Sequence, residues 1–441
     1  MRGISGRLIW GLSTTAACAV VALGLMSSAS ASAADLPSGD PAALGLAPDR
    51  LARIDTFMHG EIEAKRKAGA VVLVARHGKV AYYKAFGMAD IANKKPMKPD
   101  TMVRMYSMTK PITAVALLTL YEQGKFQLTD PLEKYIPAFK NLKVYAGTNP
   151  DGSMKLEDMK RPPTIQDIFR HTGGFSYGQG DDPVDKAYHA AGINFGTMTG
   201  LKDLIDKLAT VPLLYQPGTR WVYSVSADIQ AYLVEYFSGE KFDDYVRKTI
   251  FEPLGMTDAT FGIPKKYVPR YAANYAPNPK GGLTMIENPD GSSPNGGSST
   301  GYARFTTIPF GGLSLSADAM DYAKFAEMLV NGGELNGKRI LGPKTVELMR
   351  TNNLPPEVGT IGGSPSAGGT GFGLGVSVLV DEARSGNLGS VGQFGWAGAA
   401  TTWVIMDPKE DMVAILLAQY MPTDFDFSSK WQTLVYQALV N

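Results

Sequence analysis

Two runs of strand-forming residues, 70–75 (AVVLVA) and 80–86 (VAYYKAF), flank the turn His77-Gly78-Lys79 and read as a β-hairpin. Ahead of them, residues 49–67 place Leu51, Ile54, Phe57, Met58 and Ile62 at helical spacing. Strand-like runs return only near the far end, at 371–380, 390–394, 401–406 and 412–419, followed by a helical pattern over 429–440. Between these ends the chain is mostly helical in pattern, over 107–123, 164–170, 200–209, 227–237 and 242–251, then 317–330 and 343–350. Residues 143–163 carry the turn Asn149-Pro150-Asp151-Gly152 and read as a surface hairpin, while 280–301 and 358–370 read as loops.

Strands at both ends with helices between them imply an α/β (α+β) chain: an antiparallel sheet flanked by helices, plus an inserted mostly helical domain. The expected division is a discontinuous sheet domain over 34–100 and 302–441, and a helical domain over 101–301 with the active site at their interface.

The first 33 residues have a different character. Arg2 and Arg7 precede an apolar stretch from Leu8 to Met26, and Ala31-Ser32-Ala33 supplies small residues for cleavage, the pattern of a signal peptide. The expected location is therefore periplasmic or secreted, with no stable membrane anchor. Removing this segment takes away the chain's single cysteine, Cys18, which suits an exported protein without redox chemistry. Lys and Arg total 43 against 42 for Asp and Glu, so no basic field exists to hold a nucleic acid, and none is expected as a partner.

Ser107 and Lys110 lie three residues apart at the start of a strongly apolar helical run. That spacing stacks a hydroxyl and an amine on one helix face, as a serine nucleophile and its partner require. The backbone N–H groups of the first turn, including that of Ser107, are available to an oxyanion. Taken alone, Ser107 serves equally well as a helix N-cap. A second Ser-x-x-Lys, at Ser238 and Lys241, is interrupted by Gly239 and reads as a helix end.

The context is more specific. RMYSMTKPIT at 104–113 is followed by RHTGG at 170–174, PGTRWVYS at 217–224, and Gly395-Trp396-Ala397-Gly398. This ordered set resembles the serine β-lactamase/penicillin-binding-protein family, most closely its esterase branch, the family VIII carboxylesterases. The resemblance spans nearly the whole chain after the leader and implies a β-lactamase/transpeptidase-like fold. It implies that Ser107 is the nucleophile, Lys110 its partner and Tyr223 the candidate general base. It places Trp396-Ala397-Gly398 on a strand edging the site, where lactamases carry Lys-Thr-Gly, and the second oxyanion N–H on Ala399.

Two departures bear on substrate. Class C lactamases have Asn where this chain has Val225, and a cationic Lys where it has Trp396. Without that cation, grip on a β-lactam carboxylate is lost and an aromatic wall takes its place. A neutral ester is therefore the expected substrate, with water as the second, no cofactor and no metal, and with Trp396, Ala397, Gly398 and Val225 lining the substrate. A β-lactamase or D-alanyl carboxypeptidase, an acyltransferase, and a β-lactam sensor without turnover are the alternatives.

An unperturbed tyrosine ionises only near about pH 10, so a nearby ammonium is needed to favour its phenolate. Lys110 can supply that charge or act as the base itself; the sequence leaves the proton's owner open. Read alone, Tyr223 also fits a core aromatic, and Trp396 divides evenly between site wall and sheet core. His171 reads as a hydrogen-bonded structural histidine and Arg104 as a buttress. Gly297-Ser298-Ser299-Thr300-Gly301 matches the α/β-hydrolase elbow, but that fold needs a histidine after the serine, and His59, His77, His171 and His189 all precede it.

Overall fold

The computed structural model describes residues 34–294, 308–361 and 368–440. The leader (1–33) and the 297–301 serine motif lie outside them. Its centre is an eight-stranded antiparallel sheet. The strands are β1 (Gly69–Arg76), β2 (Lys79–Asp90), β3 (Lys95–Pro96), β4 (Thr370–Phe372), β5 (Ser377–Leu379), β6 (Phe394–Gly398), β7 (Thr402–Asp407) and β8 (Met412–Ala418). Their order is β4-β5-β6-β7-β8-β1-β2-β3, so β8 from the end of the chain pairs with β1 from its beginning.

Side-chain alternation explains why β1 and β8 are apolar throughout. Val71, Leu73, Val413 and Ile415 enter one core, and Val72, Val74, Ala414 and Leu416 enter the other. On the second face lie α1 (Pro48–Glu63), through Leu51, Ile54 and Met58, and the C-terminal helix Phe425–Tyr436, through Phe427, Trp431 and Val435. On the first face lie α2 (Thr109–Glu122), α3 (Ser226–Ser238) and α4 (Ala319–Val330). α2 is buried on every side from Thr109 to Leu118, which its nearly continuous apolar sequence permits. The core on this face runs without a break from the sheet into the helical region between residues 101 and 294.

Several boundaries differ from the sequence reading. The strand expected at 390–394 lies at Phe394–Gly398. The run 371–380 is a hairpin rather than one strand, because Gly375 takes φ +83° against α2, where a Cβ would stand 2.4 Å from that of Ala114. Within 280–301, Leu283–Glu287 pairs with Asn274–Pro277. The last helix begins at Phe425, four residues before Ser429, because Asp424 caps it by accepting the Phe427 N–H. A helix also forms at Pro183–Ala190, outside the helical patterns above, with Asp182 as N-cap and Pro183 at its first position as its start signal. No described helix is long and apolar enough to cross a membrane.

Candidate active site

Ser107 sits in a single 3₁₀ turn, Tyr106–Met108, that leads into α2. Tyr106 holds φ +45°, a left-handed conformation costly for a bulky residue, maintained only where its surroundings enforce it. The enforcement is visible. The Met105 N–H donates to the Leu315 carbonyl (2.9 Å), Thr109 Oγ1 to the Tyr106 carbonyl (2.6 Å) and Tyr322 Oη to the Met108 carbonyl (2.8 Å). Ser107 does not cap α2. Its Oγ instead accepts a hydrogen bond from Lys110 Nζ at 3.1 Å.

Lys110 is 2% exposed. An ammonium so buried needs partners, and it donates to the Gly312 carbonyl at 2.7 Å as well as to Ser107. Two aromatic faces complete its surroundings, Tyr223 with ring centroid 4.6 Å from Nζ and Tyr177 at 5.4 Å.

Tyr223 arrives on the extended segment before α3. His171, itself at φ +56°, anchors that segment: its carbonyl accepts the Val222 N–H (3.1 Å) and its Nδ1 accepts the Ser224 N–H (3.2 Å). Burial, then the charge of Lys110, hold His171 well below the usual histidine range, so it is neutral and fits the acceptor role at Nδ1. Trp396 on β6 donates its indole N–H to the Tyr223 phenol oxygen at 3.2 Å. Trp221 stacks on Tyr223 (6.2 Å between centroids), and Phe372 meets both Trp221 (5.6 Å) and Trp396 (5.2 Å), so the phenol is fixed inside an aromatic box.

Gly398 sets how closely β6 approaches the turn that carries Ser107. A Cβ there would lie 2.2 Å from the Met105 carbonyl oxygen. This contact brings Ala397, Gly398 and Ala399 onto the same cavity as Ser107, Tyr223 and Trp396. The cavity holds about 560 Å³, and no Asp, Glu, Lys, Arg or His side chain lines it among the described residues.

Val225 departs from expectation. Its side chain is 0% exposed within the hydrophobic core, at the N-cap position of α3, and it does not line the cavity. It packs the start of α3 in the core. Arg104 is also fully buried; its guanidinium donates to the carbonyls of Ala272, Asn288 and Pro289 and pairs with Glu287. At the second Ser-x-x-Lys, Ser238 Oγ donates to the Val234 carbonyl and Gly239 ends α3 at φ +71°.

Two site residues escaped the sequence reading. Tyr177 packs on Tyr223 (5.2 Å between centroids), and burial together with Tyr223 and Asp228 pushes it well above the usual tyrosine range, leaving a neutral phenol beside the site. Its signal was position, three residues beyond the RHTGG motif. Asp228 is a fully buried carboxylate in the first turn of α3. Its signal was a lone acid at a core position five residues after Tyr223.

The site is a serine on a strained turn, bonded to a buried lysine and sharing a cavity with a tyrosine and with strand β6 of a mixed α/β fold. The chain belongs to the Beta-lactamase family, whose model matches residues 52–438. It is 33% identical over 363 residues to Protein Rv1367c of Mycobacterium tuberculosis, covering 80% of this chain and 86% of that protein. It is 30% identical over 370 residues to Esterase EstB of Burkholderia gladioli, covering 81% and 88%. Among solved structures it is similar to EstCE1, a hydrolase with promiscuous acyltransferase activity, at 26% identity and a TM-score of 0.74, over 88% of this chain and 99% of that one.

Proposed function

We propose that this protein is a carboxylesterase that cleaves short-chain, neutral esters through an acyl-enzyme on Ser107. The observation that carries the reading is the 3.1 Å contact of Lys110 Nζ with Ser107 Oγ at a cavity whose described lining has no formal charge. A wall that contains Trp396 and, among the described residues, no cation supplies no ion pair to a carboxylate but accommodates a neutral acyl or alkoxy group. The similarity to Esterase EstB supports the same reading.

In the proposed cycle Lys110 and Tyr223 act as a base pair. The Lys110 ammonium, held by the Gly312 carbonyl, favours the Tyr223 phenolate, which takes the Ser107 proton as Oγ attacks the ester carbonyl. The N–H groups of Ser107 and Ala399 stabilise the oxyanion. Collapse returns the proton to the departing alcohol and leaves the acyl group on Oγ. Water then gives its proton to the same pair, releases the acid and restores Ser107. We also propose that residues 1–33 direct export and are removed near Ala33, and that the site lies at a seam between the sheet domain and the helical domain.

The test is a substrate panel on the purified mature protein. Steady turnover of short p-nitrophenyl esters, absent in Ser107→Ala, with slow or no turnover of penicillins, is expected. Faster turnover of penicillins than of esters, or one acyl burst with no steady rate, overturns the reading.

A further inference from the structure

We propose that Asp228 is the charge partner and positioning residue of Lys110, acting through the peptide of Gly312. This deepens the ester-hydrolase reading and rests on Lys110 belonging to the proton-transfer pair.

The geometry is a three-part bridge. Gly312 donates its N–H to Asp228 Oδ1 at 2.9 Å, and its carbonyl accepts from Lys110 Nζ at 2.7 Å. One residue earlier, the Gly311 carbonyl accepts from Thr113 Oγ1 at 2.7 Å, so α2 holds this segment at two points one helical turn apart. On its other side the segment lies directly on α3. A Cβ at Gly311 would stand 2.3 Å from the Ala227 carbonyl oxygen, and one at Gly312 would stand 2.9 Å from Asp228 Oδ2 and 3.0 Å from Tyr177 Oη. Only glycines let the chain thread between the two helices here, and this threading aims the Gly312 carbonyl at Lys110.

Asp228 is 0% exposed, and its Oδ2 has no hydrogen-bond partner among the described residues. A purely structural acceptor for one N–H would be cheaper as a neutral side chain, because a buried carboxylate with a vacant oxygen carries a large desolvation cost. Burial accordingly pushes its carboxyl up to about 6, and the Lys110 ammonium is the first influence that opposes this. Among the described residues, the other titratable groups around the pair are Tyr177 and Tyr223 as neighbouring phenols and His171, which burial keeps neutral. Lys110 is thus the cation that answers the buried charge. In return, the Asp228 carboxylate places an opposite charge behind Lys110, the cation that sits beside Tyr223 in the proposed cycle.

The deciding variant is Asp228→Asn, whose amide oxygen can still accept the Gly312 N–H while the charge is gone. Without that charge the Lys110–Tyr223 pair loses its proton more easily. The acid limb of kcat/KM is expected to move to lower pH by about one unit, with a plateau kcat lower by about tenfold. A purely structural Asp228 would lower stability or yield and leave the limb in place, and a stationary limb overturns the proposal. A second measurement needs no substrate: melting temperatures at pH 8 for wild type, Lys110→Met, Asp228→Asn and the double variant. Lys110→Met should be the least stable, and adding Asp228→Asn should recover part of the loss; additive effects overturn the proposal. That cycle decides the charge coupling even if the chain turns over no ester, so failure of the ester reading and failure of this inference are separable.

Discussion

The indole N–H of Trp396 points at the phenol oxygen of Tyr223, 3.2 Å away. A donor at that atom stabilises negative charge on it and fixes the direction from which it can accept a proton. Trp396 therefore does two things at once: it forms the uncharged wall of the cavity and it supplies a hydrogen bond to the proposed base. Trp396→Phe keeps the wall and removes the bond. An approximately tenfold lower kcat, with the acid limb of the rate profile moved to higher pH, is expected. Unchanged kcat with only a changed KM would mean that the indole N–H plays no part in proton transfer.

Gly398 has no room for a methyl group, since a Cβ would meet the Met105 carbonyl oxygen and Thr402 Oγ1 at 2.2 Å each. Gly398→Ala must push β6 away from the Ser107 turn and carry Ala399 with it. Activity is expected to fall by at least about a hundredfold, the scale of losing one oxyanion donor. Intact-mass analysis should show slower acylation of Ser107, with less effect on ester binding.

His171 lies against Tyr223 (4.9 Å between centroids) but burial keeps it neutral, so it does not titrate across the working pH range. His171→Gln is expected to lower kcat by loosening the Tyr223 segment while leaving the pH of the acid limb unchanged. A limb that vanishes or shifts in this variant would make His171 a participant in proton transfer.

Glu327, 3% exposed on α4, has an Oε2 without a partner among the described residues, and burial, with the charge of Asp411, raises its carboxyl from 4.5 to about 7. The folded chain then binds more protons than the unfolded chain between those two values, so stability falls as pH rises through this window. Glu327→Gln removes the titration. Its melting temperature is expected to exceed that of wild type by roughly 2–4 °C at pH 8, with little difference at pH 4.5. Equal melting curves at pH 8 would show that the carboxylate finds compensation on ionising.

The sequence was most legible where the signal is local. The β1–β2 hairpin follows from two strand-forming runs around the His77-Gly78 turn, and the Ser107–Lys110 contact from three-residue spacing at a helix start. The site's supporting shell depends on contacts between distant segments. Gly311 and Gly312 look like ordinary loop glycines until α2 and α3 close on them, and Asp228 looks like a helix-start acid until Gly312 meets it. Val225 shows the opposite failure. Its place in a motif pointed to substrate, but an apolar side chain at the start of a buried helix goes to the core when it can. The strand at Phe394–Gly398 is hard to place from sequence because its Gly395, Ala397 and Gly398 have weak strand propensity, and pairing with β5 and β7 fixes it.

Covalent trapping is the most direct test of Ser107 as the nucleophile. The purified protein would be treated with a p-nitrophenyl alkylphosphonate, digested, and its modified peptide identified by mass spectrometry. A single adduct on Ser107, accompanied by complete loss of ester hydrolysis and absent from Ser107→Ala, is the expected result. An adduct on Ser299, or ester turnover that persists in Ser107→Ala, would contradict it.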